Sequence, residues 1–232
     1  VIWTVPRIWD GGTCFIIGGG DSMPRQFGVP QDVIAKVQSG ELRPAAYSPY
    51  MEAIHHRRSI AVNNAYLIGE WMDAMFFGDC GWHLQHRVNL ARWRKLKVTC
   101  CPKFANRPLE EMEGIKYLIK DSSNRLGLTT KRRMVSWNHN SGAAAINLAV
   151  HLGATRVVLL GFDMSLGHRG ASHWHPGHGA RRPPPFERHL RGFPDIARDA
   201  ERLGVEIINA CPDSAIEAFP RVELKEVIDE PG

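Results

Sequence analysis

The chain has 232 residues, enough for one domain with a sizeable core. Its 44% hydrophobic and 23% charged content is ordinary for a globular protein, and no apolar run reaches the roughly 18 residues that a membrane helix needs. A formal charge of +5 and a pI near 9.1 leave two readings open, a phosphate-rich partner such as nucleic acid or a plainly solvated surface.

The opening Val1–Pro6 is too short and interrupted for a signal peptide, so no membrane insertion and a cytoplasmic location are expected. Thr13–Ile17 is a short apolar run closed by Gly18, Gly19 and Gly20, which predicts a buried strand and a tight turn. Ser59–Val62 predicts a second strand, followed by Asn63 and Asn64, and Ala74–Phe77 a third, followed by Gly78 and Asp79. Leu96–Cys100 fits a fourth strand. Ala143–Leu152 has helical spacing and stops at Gly153. Arg156–Leu160 is a strongly apolar strand leading to Gly161, Phe162 and Asp163. Pro194–Leu203 predicts an amphipathic helix, and Val205–Asn209 a last strand. Strands alternating with helices predict a single α/β domain over residues 1–232, Rossmann-like and doubly wound around a mainly parallel sheet.

Between Leu166 and Pro185 lie glycines, prolines, histidines and arginines with no period, which predicts a long loop embedded in the domain. A lid over about residues 164–193, mobile when empty, is the expectation. The five cysteines, Cys14, Cys80, Cys100, Cys101 and Cys211, match no zinc spacing and read as reduced, mostly buried thiols. Basic residues cluster at His55–Arg58, Arg92–Lys97, Lys131–Arg133 and Arg181–Arg182.

In an open parallel sheet, ligands bind beyond the carboxyl ends of the strands. The residues following the predicted strands converge there: Gly18, Gly19, Gly20 and Ser22; Asn63 and Asn64; Gly78 and Asp79; Asp163. The glycines could let a phosphate reach backbone N–H groups, with Ser22 adding a hydroxyl, or they could simply make a tight turn. The turn is no dinucleotide fingerprint, since Met23 stands where the third glycine belongs, and no Gly-Lys-Ser/Thr marks a P-loop. Asn140 or Ser141 can cap the Ala-rich helix, as a plain cap or as part of a second anion site. His173-Trp174-His175-Pro176-Gly177-His178 is the sharpest local feature. It can supply a general base, with His175 and His178 as candidates, bind a metal with Asp163, or do neither. No metal-binding pattern accompanies it, and no metal or other cofactor is expected to be required.

Several of these motifs resemble the bacterial lipooligosaccharide sialyltransferases: the Ile-Ile-Gly-x-Gly-x-Ser turn, Val-Asn-x-Ala and Ala-x-Phe-Phe, Asn140-Ser141-Gly142 leading to Leu160-Gly161-Phe162-Asp163, and Cys211-Pro212-Asp213-Ser214. The Trp3–Arg7 opening, the His-Trp-His loop and the Ser214–Pro220 ending resemble more closely a group of phage proteins sharing that fold, often labelled morphogenesis-like. The resemblance implies a cytidine- or uridine-type nucleotide-sugar donor as substrate, lined by Gly19, Gly20 and Ser22, with Asn63 at the nucleotide or sugar and Ser141 near the phosphate. It implies a metal-independent, inverting glycosyltransferase with a histidine base. Matching the His-aromatic-x-Gly-His stretch gives His178; counting back from Cys211 gives His189. Ser165 stands at the first of the positions where the family has tyrosines that hold the leaving phosphate. A phage source makes a hydroxylated DNA base a plausible acceptor, inside a bacterial host cell. Two other readings stay open, a pterin-type pyrophosphokinase and a non-catalytic nucleotide-binding assembly factor, and so does a homo-oligomer.

Overall fold

The computed structural model of the chain describes residues 2–108, 113–167, 170–176 and 185–229. β1 (Thr13–Ile17) leads through the glycine turn into the four-residue α1 (Met23–Gln26) and then α2 (Gln31–Ser39). A 3₁₀ stretch, Pro44–Ile54, precedes β2 (Arg58–Val62), and another, Asn63–Ile68, follows it. Next come β3 (Ala74–Phe77), α3 (Cys80–Arg92), β4 (Leu96–Thr99), β5 (Ile115–Tyr117), β6 (Ile119–Lys120) and β7 (Met134–Val135). The chain continues through α4 (Ser141–Leu152), β8 (Arg156–Leu160), α5 (Phe186–Leu190), α6 (Phe193–Arg202), β9 (Glu206–Asn209) and α7 (Leu224–Ile228).

The central sheet has seven strands in the order β5-β4-β3-β2-β1-β8-β9, and every pairing in it is parallel. The strands expected to end at Phe77, Val62, Ile17 and Leu160 therefore lie side by side, as the alternation of apolar runs and helices requires. Their near-continuous apolar sequence suits a parallel sheet covered on both faces. Successive residues point to opposite sides: Cys14, Ile16, Val157 and Leu159 face one core, with α4 and α6, while Phe15, Ile17, Val158 and Leu160 face the other, with α2 and α7. The chain winds outward from β1 to β5, then returns to the other side of β1 with β8. The reversal puts a topological switch point between β1 and β8, where the loops after the two strands part in opposite directions.

One expectation needs correction. Cys80 and Cys101 are not reduced thiols but form a disulfide, their Cα atoms 5.6 Å apart, whereas Cys14, Cys100 and Cys211 are free and buried. The neighbouring strands β3 and β4 end side by side, which brings together the residues that follow them. Within the expected lid, Trp174 is bonded to the glycine turn through Gly18 O and Gly19 O. Residues 177–184, which include His178, Arg181 and Arg182, lie outside the described residues. α3 was not expected from the sequence, because its buried positions Trp82, His83 and Leu90 make a weak apolar stripe.

Candidate functional site

A cleft of about 940 Å³ opens at the carboxyl edge of the sheet, over the β1/β8 switch point. Its floor is the glycine turn. Gly18 N–H donates to Leu160 O at 2.7 Å and Gly20 N–H to Gly161 O at 2.9 Å, so the turns after β1 and β8 are bonded to each other. A Cβ on Gly18 or Gly20 would stand 2.7 or 2.6 Å from Gly161 O. These two glycines are explained by the close approach of the two turns, the structural alternative left open by the sequence.

The position expected for a phosphate at this turn holds the protein's own carboxylate. Asp163 accepts from Ser22 N–H at 2.9 Å and from Ser22 Oγ–H at 2.5 Å. Ser22 is not among the residues lining the cleft, and its hydroxyl is engaged by Asp163 rather than open to a ligand. Asp163 is 7% exposed and is positioned from behind, since its carbonyl accepts from Ala215 N–H at 2.8 Å. Asp21 is likewise buried and bound, by Arg25 at 2.6 Å and by Gln38 Nε2 at 2.8 Å.

The residues after β2 split in role. Asn63 lines the cleft with its backbone in the left-handed region, φ 49°. Its Oδ1 is buried and receives no hydrogen bond among the described residues. Leaving such an oxygen unsatisfied costs about 1–3 kcal/mol, which a donor group on a ligand would recover. Asn64 is turned away from the cleft and bridges Trp82 and His175. Asp79 stands at the cleft wall and caps α3, accepting from Gly81 N–H at 2.6 Å and Trp82 N–H at 3.1 Å. Asn140 caps α4, accepting from Gly142 N–H at 2.8 Å and Ala143 N–H at 3.3 Å, and Ser141 lies beside it on the cleft wall.

Trp174 anchors the histidine segment. It is wholly buried; its N–H donates to Gly19 O at 3.1 Å and its indole N–H to Gly18 O at 2.9 Å. Its own carbonyl accepts from Tyr47 O–H at 3.2 Å. The flanking His173 and His175 are thereby laid across Gly19, where an added Cβ would meet His173 Cδ2 at 3.0 Å and His175 Nε2 at 3.4 Å. A side chain at position 19 would thus displace the imidazoles above it.

His189, on α5, lines the opposite wall with Arg188 and Phe186. Burial, then the positive Arg188, then His139 push its imidazole down from 6.5 to about 4, so it is neutral at pH 7. Among the described residues His139, His173, His175 and His189 share this cleft, yet no group of three or more His, Cys, Asp or Glu is placed to hold a metal ion.

Several cleft residues were not singled out from sequence: His139, at φ 53°, together with Trp82, Gln85, Trp137 and Arg188. Trp137 lies against Gly78, where there is no room for a Cβ, and Lys120 sits over its ring at 4.0 Å. The sequence signal was present in Ser136-Trp137-Asn138-His139, just before the Ala-rich helix, but nothing in its period distinguishes it from a loop. Among the described residues, the basic clusters 55–58, 92–97 and 131–133 do not line the cleft, while Arg181 and Arg182 lie outside the described residues. Arg58 and Lys97 belong to the amino-terminal halves of β2 and β4, at the other edge of the sheet; Arg58 donates to Gly11 O and Lys97 to Leu90 O. Lys131 is paired with Asp121 at 3.2 Å. Among the described residues no helix is long and apolar enough to cross a membrane.

The sequence matches no protein-family model and no curated relative. The fold is similar to that of the monofunctional α-2,3-sialyltransferase Cst-I from Campylobacter jejuni, with a TM-score of 0.54, 14% identity, and coverage of 96% of this chain and 83% of that one. The sialyltransferase CstII from the same organism, solved with the substrate analogue CMP-3FNeuAc, aligns at a TM-score of 0.48 and 12% identity over 91% of this chain and 86% of its own. The likeness to Cst-I is one of fold: an α/β domain around a parallel, Rossmann-like sheet.

Proposed function

We propose that this chain is a glycosyltransferase that moves a sugar from a nucleotide donor, cytidine-type in the first instance, to a hydroxyl acceptor. The observation that carries the reading is Asn63, a residue lining the cleft at the switch point whose buried Oδ1 has no donor among the described residues. A ribose hydroxyl or an amino group of a nucleobase supplies that donor. The fold likeness to Cst-I supports the same class.

The reaction is a direct, inverting displacement. The acceptor oxygen bonds to the anomeric carbon as the bond to the phosphate oxygen breaks; the electron pair leaves with the nucleotide. The acceptor's proton passes to a neutral histidine, and His189, one of the described histidines lining the cleft, is assigned to this role. Gly18, Gly19, Gly20, Asn140 and Ser141 hold the donor in this scheme. Ser22, Asn64 and Asp163 support the cleft from behind. No essential metal takes part. A hydroxylated DNA base as acceptor draws less support than the overall charge implied, because two of the basic clusters lie at the far edge of the sheet.

The test is a thermal-shift panel of nucleotides and nucleotide sugars, followed by donor turnover in EDTA. A bound donor raises Tm with concentration. The expected outcome is stabilisation by cytidine or uridine sugars and turnover that survives EDTA. Loss of turnover in EDTA would favour pyrophosphoryl transfer, which depends on Mg²⁺; binding without any turnover would favour an assembly factor.

A further inference from the structure

We infer that His175 is held by Trp82 and Asn64 as the tautomer carrying its proton on Nε2, so that it faces the cleft as a hydrogen-bond donor and not as the base. The inference starts from the Trp82 indole, whose role in this set of three side chains is fixed. An indole N–H only donates. Trp82 Nε1 lies 2.5 Å from Asn64 Oδ1, so that side of the amide is its oxygen. The amide nitrogen then faces the other way, and it stands 3.0 Å from His175 Nδ1. An NH₂ group only donates, so Nδ1 presents its lone pair. A neutral imidazole with an accepting Nδ1 carries its proton on Nε2.

Among the described contacts of His175 Nδ1, that of Pro176 competes. The carbonyl of Pro176 is 3.1 Å from the same Nδ1 and would favour a proton there. That proton would point at an amide hydrogen of Asn64. The amide cannot turn over to relieve this, because its nitrogen would then meet the indole N–H. Pro176 is also the next residue along, so its carbonyl is near the ring whatever the tautomer. Asn64 is 7% exposed, Trp82 6% and His175 6%, so water does not readily replace either bond.

The geometry on the cleft side gives the tautomer a use. His175 Nε2 lies over Gly19, at the cleft floor. On the nucleotide-sugar reading, on which this use rests, Nε2–H donates to the phosphate oxygen that gains charge as the sugar leaves. No proton is transferred; the bond strengthens as the oxygen becomes more negative. In this role Asn64 and Trp82 are positioning residues, acting through His175.

The decisive measurement is ¹⁵N-histidine NMR of the full chain, with the His175 signal assigned by its loss in His175→Gln. A pyridine-like Nδ1 with a pyrrole-like Nε2 is expected. Asn64→Asp keeps the shape but offers only oxygens, so it should draw the proton to Nδ1 and invert the pattern. Trp82→Phe, which frees the amide to turn, should give a mixture, and it carries the test should Asn64→Asp fail to fold. In turnover, His175→Ala and Asn64→Asp should each lose about 100-fold in kcat. His175→Gln should retain most of the activity that alanine loses, because its amide N–H stands in for Nε2–H. A proton on Nδ1 in the unmodified protein overturns the inference, as does a glutamine variant as inactive as the alanine one. If no nucleotide sugar binds, the proposed function falls, while the spectrum still decides the tautomer.

Discussion

Asp163 accepts two hydrogen bonds from Ser22, 2.9 Å from the backbone N–H and 2.5 Å from the hydroxyl. A carboxylate from the loop after β8 thus fills the place at the glycine turn where a phosphate was expected, and it fastens the two turns that flank the switch point. Asp163→Asn should therefore destabilise the fold by about 1–3 kcal/mol, the range for disturbing a buried, charge-assisted pair. Ser22→Ala should cost about 1 kcal/mol and leave donor affinity within about twofold. Urea unfolding and a nucleotide titration on each variant give both numbers. A Ser22→Ala protein of normal stability with sharply weakened donor binding would return the serine to the phosphate.

The two kinds of glycine in the turn make opposite predictions. A Cβ on Gly20 would press on Gly161 O at 2.6 Å and on the Asp163 carboxylate at 2.7 Å, both held by other bonds. Gly20→Ala should lose about 1–3 kcal/mol of stability through overpacking. A Cβ on Gly19 meets only imidazole atoms, at 3.0 and 3.4 Å. Gly19→Ala should unfold at nearly the normal urea concentration and yet turn over donor more slowly, because His173 and His175 must shift. Equal losses of stability at the two positions would contradict this division.

The Cys80–Cys101 disulfide closes a loop of sequence separation 21. Such a cross-link contributes about 3 kcal/mol, chiefly by restricting the unfolded chain. Cys80→Ser should lower the unfolding midpoint by a corresponding amount, and dithiothreitol should do the same to the unmodified protein but not to the variant. Thiol titration of the denatured, unreduced protein should find the three cysteines Cys14, Cys100 and Cys211; five titrating thiols would rule the bridge out.

The fold was readable from sequence where the physics is local and repetitive. The apolar runs Thr13–Ile17, Ala74–Phe77 and Arg156–Leu160 are strands because both faces are covered, and Gly153 ends α4 in the left-handed conformation that glycine favours. What sequence could not assign was the partner of each polar group. Ser22 and Asn63 both follow a strand and both look like ligand residues, yet one is bound by Asp163, 141 positions away, and the other holds an oxygen with no partner among the described residues. Asn64 next to Asn63 is committed to His175, 111 positions away. The Gly- and Pro-rich composition around 166–185 predicts freedom, but one buried indole, Trp174, is enough to tie 173–175 to the floor. The cysteine bridge escaped for the same reason: it depends on β3 and β4 being neighbours.

The last prediction concerns the base. His189 is driven down to about 4 by burial, Arg188 and His139, whereas an ordinary histidine titrates near 6.5. If His189 takes the acceptor proton, kcat/KM should stay level from pH 7 to about 5 and fall with an acid limb near pH 4. His189→Gln should lose about 10²–10⁴ in kcat with nucleotide affinity nearly unchanged. Stability must be followed alongside, and its sign is fixed by the same shift. The folded state resists protonation of His189, and of His83 and His151, which burial also pushes down. As pH falls below 6.5 the unfolded chain binds protons that the folded one refuses, so stability is full above 6.5 and declines toward pH 4. Unfolding curves at each pH separate this decline from loss of chemistry. An acid limb near 6.5 that persists in His189→Gln would move the base to another histidine, with His178 the first to replace.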